Sequence, residues 1–183
     1  MKATEILMEE HQVILRVIAA LEKASQKLEN GPMRAGFFLD AADFIQGFAD
    51  GCHHKKEEGV LFVAMIAHGV PDRGGPIGVM MSEHEQGRAF TRGMREAAQK
   101  LEAGDGSARG AVLVDARGYD TLLRQHIYKE DSFLFPMAER VFPPETQAEV
   151  AADFERIENE ETGAGIHEKY LALAERLEKE VVI

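Results

Sequence analysis

The chain carries one pattern twice. At a spacing of 73 residues, Met8-Glu9-Glu10-His11 returns as Met81-Ser82-Glu83-His84, and Gln26-Lys27-Leu28-Glu29 as Gln99-Lys100-Leu101-Glu102. The same shift, without a gap, carries His53-x3-Glu57-Glu58 and Leu61-Phe62 onto His126-x3-Glu130-Asp131 and Leu134-Phe135. A unit this long, present only twice, is not a solenoid repeat; it reads as two related halves of one domain. It sorts four histidines and two glutamates into matching sets, His11/His53/Glu57 and His84/His126/Glu130. A duplicated helical hairpin with that content is what a symmetric two-metal site inside a helix bundle requires.

Helical periodicity dominates and no segment alternates as a strand, so the fold class is all-α. The spacing predicts helices over about 4–28, with Thr4 as N-cap, then 35–67, 77–101 and 108–141. Asn30-Gly31-Pro32 ends the first, the Gly- and Pro-rich run 69–76 joins the halves, and Pro143-Pro144 stops the fourth. Short links between long helices favour antiparallel neighbours, hence an up-down four-helix bundle over residues 1–144. Residues 145–183 form a C-terminal helical appendix packed on the same domain, with no counterpart in the repeat. In it, a helix to about Glu161 is followed by Gly163-Ala164-Gly165 and a last helix from Ile166 to Val181.

The histidines and glutamates fall on apolar helix faces. Tyr119, Leu122, Leu123, His126, Ile127, Glu130, Phe133, Leu134 and Met137 follow one buried stripe. Ile45, Phe48, Ala49, Cys52, His53, Glu57, Val60 and Leu61 follow another. His11 lies among Leu7, Ile14, Leu15 and Ile18, and His84 follows Ile77, Met80 and Met81. An ionised carboxylate in an apolar core costs several kcal/mol unless it is compensated, and two facing each other also repel. A cation between them answers both difficulties. Residues i and i+4 share a helix face about 5–6 Å apart at Cβ, so each His-x3-Glu pair can reach one centre. Imidazole suits iron, zinc or manganese, and carboxylates can bridge two ions. Two bridging glutamates with two histidines on each side describe a dinuclear centre.

At this point the chain resembles the hemerythrins, of the group called HHE cation-binding domains. The resemblance covers about residues 4–142 and is anchored by Glu10-His11, the run from His53 to Glu58 with Leu61-Phe62, Glu83-His84-Glu85, and His126-x3-Glu130-Asp131 with Leu134-Phe135-Pro136. Ferritin-like di-iron bundles use Glu-x-x-His, and that motif does not occur here. The resemblance implies two non-haem iron ions. Oxygen-carrying hemerythrins have a further histidine four residues after the third-helix one; here that position is Arg88, which cannot ligate. Arg88 is free to hydrogen-bond a carboxylate or an anionic ligand instead. His54 either fills the missing place, as in some hemerythrin-like domains, or sits on the solvent side or just outside the ligand shell. Asp131 occupies the position of a carboxylate ligand in some oxygen carriers, whereas the i, i+4 match with the first half favours Glu130. Tyr119, Tyr128 and Tyr170 stay open as neighbours of the site. Cys52 reads as a packing residue and His167 as a structural one.

The bulk numbers bound the rest. With 183 residues, 45% hydrophobic and 29% charged, the chain reads as one soluble globular domain. A formal charge of −11 argues against a nucleic-acid partner. A single cysteine excludes an internal disulfide framework, and the longest apolar run, Val60 to Ala67, is too short to span a bilayer. The N-terminal stretch carries Glu5, Glu9 and Glu10 where a signal peptide needs an apolar core, so a cytoplasmic location with no membrane partner is expected. Functional expectations are a di-iron protein binding O2 or a related diatomic such as NO, a redox enzyme acting on peroxide or NO, or a metal-responsive binding module, with zinc or manganese as alternative metals.

Overall fold

Apolar residues at three- and four-residue spacing wind the chain into long helices. The structure, a computed structural model, describes residues 1–163 and 165–182, of 161 and 162 the backbone alone. Helix α1 is Ala3–Asn30 and α2 runs over 35–67. Helix α3 is Pro76–Glu102, and a 3-10 turn, Gly106–Ala108, leads into α4 over 109–141. Helix α5 covers 144–162 and α6 is Ile166–Val182; Ala164, in the link expected between them, lies outside the described residues. Among the described residues there is no strand, and no helix is long and apolar enough to cross a membrane.

Local chemistry sets the ends. Thr4 is not the N-cap of α1: the cap is Lys2, whose backbone N–H donates to Glu5 (2.7 Å). The Thr4 hydroxyl is used elsewhere, donating to Glu139 of α4 at 2.8 Å. Pro76 opens α3 in its first turn, where a missing N–H costs no helical bond. The link before it reverses through Gly69 and Gly74, both at positive φ (91° and 70°), a region that penalises a side chain.

Helix α3 packs along α2 and α4, α1 packs along α4, and α6 lies across α1 and α2. That last contact depends on Gly47, where a Cβ would fall 1.8 Å from the Tyr170 hydroxyl oxygen. Buried side chains form two apolar cores. One holds Ile14, Ile18, Phe44, Phe48, Met94 and Leu177; the other holds Leu7, Leu61, Met65, Met80, Phe135 and Phe154.

Helices α2 and α4 are not α-helical throughout. Wider π turns occupy Ile45–His54 and Glu57–Leu61 in α2 and Glu130–Leu134 in α4. The last two stand one repeat length apart, each beginning on a candidate ligand, and such turns gather at functional sites. They also shift the register of the apolar stripe. Phe133, expected on the buried face of α4 with Leu134, is 59% exposed, while Leu134 is buried as expected; both lie in the wide turn, which departs from strict helical spacing. Met81, in the stretch leading to His84, is likewise exposed at the surface of α3.

Candidate metal centre

Between the two apolar cores lies a polar layer. His11 from α1, His53, His54 and Glu57 from α2, His84 from α3, and His126 and Glu130 from α4 are all buried there. Every position in the two repeated sets therefore converges, and His54 joins them. Only 4% exposed, His54 is not on the solvent side. The π turn Ile45–His54 carries two consecutive residues to one interior, which an ordinary helix, turning about 100° per residue, does not favour.

The ring orientations are fixed from outside. The Nδ1–H of His11 donates to Asp131 (2.7 Å), that of His53 to Glu10 (2.9 Å), that of His84 to Glu58 (2.7 Å) and that of His126 to Glu83 (2.9 Å). An ionised carboxylate only accepts, so each Nδ1 carries the hydrogen and each Nε2 is left as a bare lone pair facing inward. Anchoring the far ring nitrogen to a carboxylate is the usual support for a metal-ligating histidine. His54 is held more loosely, with Nδ1 3.4 Å from Asp50.

The outer residues obey the repeat as strictly as the inner ones. Glu10 and Glu83 hold the α2 and α4 histidines of their own halves and are braced by Lys56 and Lys129. Glu58 and Asp131 instead cross over, each holding a histidine of the other half. Rings cross over as well: Phe135 stacks on His11 (5.5 Å) and Phe62 on His84 (6.0 Å). These are the Leu-Phe pairs of the repeat, placed as apolar covers on the site. Asp131 was already a candidate from sequence; Glu10, Glu58, Glu83, Lys56 and Lys129 were missed as functional residues, although the 73-residue offset already paired them.

Inside, Glu57 directs Oε1 to His53 Nε2 and Oε2 to His84 Nε2, both at 3.4 Å. Glu130 directs Oε2 to His11 Nε2 and Oε1 to His126 Nε2, both at 3.2 Å. All four carboxylate oxygens, with His11 Nε2 and His54 Nε2, are buried without a hydrogen-bond partner. His84 Nε2 and His126 Nε2 face each other at 3.1 Å. Lone pairs so crowded need positive charge between them. Protons are one source. Burial would lower the His11 pKa, but its hydrogen bond to Asp131 and the negative charge of Glu130 beside it carry it up to about 9, and Glu130 similarly overcomes burial to carry His126 up to about 10. Glu130, in turn, is held far below the carboxylate range by His126 and His11 in spite of its burial. His54 goes the other way: burial and the neighbouring His84 keep it neutral.

Metal ions are the other source, and the donor set fits them. His11, His53, Glu57 and Glu130 form one group that could hold a cation, and His54, Glu57, His84 and His126 form a second, the donor atoms of each lying within 4.8 Å of one another. A profile described as the hemerythrin HHE cation-binding domain matches residues 2–138. The chain belongs to that family. Uncharacterized proteins of Mycobacterium tuberculosis and Mycobacterium bovis are 25% identical to it over 166 residues, 88% of this chain and 63% of theirs, so it spans less than two thirds of their length. No solved structure matches it significantly.

The remaining candidates of this HHE domain fall outside the inner cluster. Asp131 is the anchor of His11, while Glu130 reaches the interior. Arg88, 24% exposed, is clasped by Asp50 (2.7 Å), Glu58 (2.7 Å) and Glu85 (2.6 Å), so it stiffens the carboxylates behind His54 and His84. Cys52 is buried, its thiol pushed up to about 11 by burial and by Glu10, which keeps it protonated and inert. His167 packs edge-on against Phe48 near Glu158. Tyr128 is exposed, Tyr170 belongs to the α6 contact, and Tyr119 is buried beside the site.

Proposed function

We propose that this HHE domain holds a dinuclear non-haem iron centre that binds O2 or a related diatomic such as NO, in a sensing, storage or detoxification role in the cytoplasm. The reading includes an up-down bundle of α1 to α4, with residues 145–183 packed on it, and no nucleic-acid or membrane partner. The observation that carries it is the division of labour of Glu57 and Glu130. Each offers one oxygen to the His11/His53 side and one to the His84/His126 side, as carboxylates shared by two ions do. Zinc or manganese would suit the same donors, and iron is favoured because the family resemblance and the nitrogen-rich set agree.

Ferrous ions in such a centre supply the electrons for reversible capture of a diatomic. The protein supplies the rest. With His54, one side would have three imidazoles and the other two, so an ion held by His11 and His53 would have fewer protein donors and a place for an external ligand. Phe135 over His11 and Phe62 over His84 keep bulk water from the layer, which strengthens the electrostatics inside it. Neutral His54 needs no deprotonation to bind a cation.

Elemental analysis of protein purified without an affinity tag is expected to give about two iron atoms per chain. Anaerobic ferrous loading followed by O2 is expected to raise an iron chromophore that reverses on deoxygenation; its absence would remove the O2 reading. Consumption of peroxide or NO in excess of the iron present would move the assignment to a redox enzyme.

A further inference from the structure

Beside His54 and His84 opens a cavity of about 260 Å³ between α2, α3 and α4. The repeat shows that it is not a general packing defect. At the 73-residue offset, Gly87, Thr91, His54 and Asp50 of the cavity correspond to Ile14, Ile18, Ile127 and Leu123, all buried in the apolar core. One side of the duplicated design is filled with hydrocarbon. The other has been hollowed and lined with polar groups.

Those groups sort by depth. At the floor, the Tyr119 hydroxyl is buried without a hydrogen-bond partner in a side chain 1% exposed, and leaving such a group unpaired is costly. Near it Thr91 donates to the Gly87 carbonyl at 2.8 Å, which leaves its oxygen free to accept. Arg92, exposed, and Arg95, half-buried, complete the lining toward solvent, and neither has an ionic or hydrogen-bond partner among the described residues. Of the charged groups lining the cavity, Asp50 and Arg88 are already paired with each other, which leaves the guanidiniums of Arg92 and Arg95 as the ones open to an anion. The lining also includes Ile45, Gln46 and Gly87, the last with no side chain.

We propose that this cavity binds a small organic carboxylate bearing a second hydrogen-bonding group, of the hydroxylated aromatic acid class. The carboxylate is forked by Arg92 and Arg95, the flat body lies along Ile45 and Gly87, and the far polar group meets Tyr119. An inorganic anion would satisfy the guanidiniums alone and leave the tyrosine unpaired. The cavity lies on the His54/His84 side, apart from the two-histidine side offered to a diatomic.

Calorimetric titration of the purified chain, with its metal content measured on the same sample, tests this with 4-hydroxybenzoate, benzoate and phosphate as probes. One 4-hydroxybenzoate per chain is expected. The double substitution Arg92→Gln and Arg95→Gln, at positions that leave the core untouched, is expected to weaken it about tenfold or more. Tyr119→Phe is expected to weaken 4-hydroxybenzoate about fivefold while leaving benzoate unchanged. No saturable binding of either acid at millimolar concentration would overturn the proposal. So would binding that ignores the double substitution, or phosphate binding as tightly as 4-hydroxybenzoate.

Discussion

At the scale of single residues, the site is a set of bare imidazole nitrogens and carboxylate oxygens competing for positive charge. Without metal, that charge is protonic, and the sign of its effect on stability follows. His11 and His126 have folded pKa values near 9 and 10 against an ordinary 6.5, so the folded state holds extra protons between those limits. Their contribution is complete below pH 6.5 and is lost as pH rises through about 9 to 10. Chemical denaturation of metal-free protein is therefore expected to show stability falling across that window. In metal-loaded protein the trend reverses at its acid end, where protons displace the ion, and parallel melts at several pH values check both. The outer anchors act one step removed. Asp131→Ala frees the His11 ring to rotate and is expected to lower metal affinity about 10- to 100-fold with little change in fold, as read by chelator competition.

At the scale of helices, the placement of glycines separates positions that need close approach from positions that do not. Gly47→Ala drives a methyl into the Tyr170 hydroxyl and is expected to cost about 1–3 kcal/mol as α6 is pushed off α2. Gly110, near the start of α4, has no neighbouring atom within 4 Å of the place a Cβ would take, so Gly110→Ala is expected to add about 0.5–1 kcal/mol. Thermal melts of the two variants are expected to move in opposite directions. The extent of the helices was legible from apolar spacing and from Gly and Pro at their ends, and the six repeated positions were legible because duplication and apolar stripes agreed. What escaped were deviations from regularity. His54 stayed open between a ligand place and the solvent side because adjacent residues normally point apart on a helix, and the π turn that buries it leaves no mark in the periodicity. Phe133 was misplaced on the buried face for the same reason. The outer shell of Glu10, Glu58, Glu83, Lys56 and Lys129 could have been read, since each lies at the repeat offset from a partner of like charge, but charged residues on a helix are more often solvated.

At the scale of the whole molecule, the buried polar layer makes stability and metal occupancy one quantity. Removing metal leaves four carboxylate oxygens and two imidazole nitrogens unsatisfied between two apolar cores. A metal at a hundredfold excess over its dissociation constant is expected to stabilise by about 2.7 kcal/mol per ion, so chelation should lower the melting temperature by an amount set by free-metal concentration. The crossed anchors have a further consequence. Because Asp131 and Phe135 serve His11 while Glu58 and Phe62 serve His84, a single hairpin holds neither of its own α1- or α3-type histidines in place. Such a hairpin, as a separate gene product, would complete its site only by pairing with a second copy of itself. The present chain is in that sense built like a tethered homodimer whose two faces differ, one filled with hydrocarbon and the other an arginine-lined hollow.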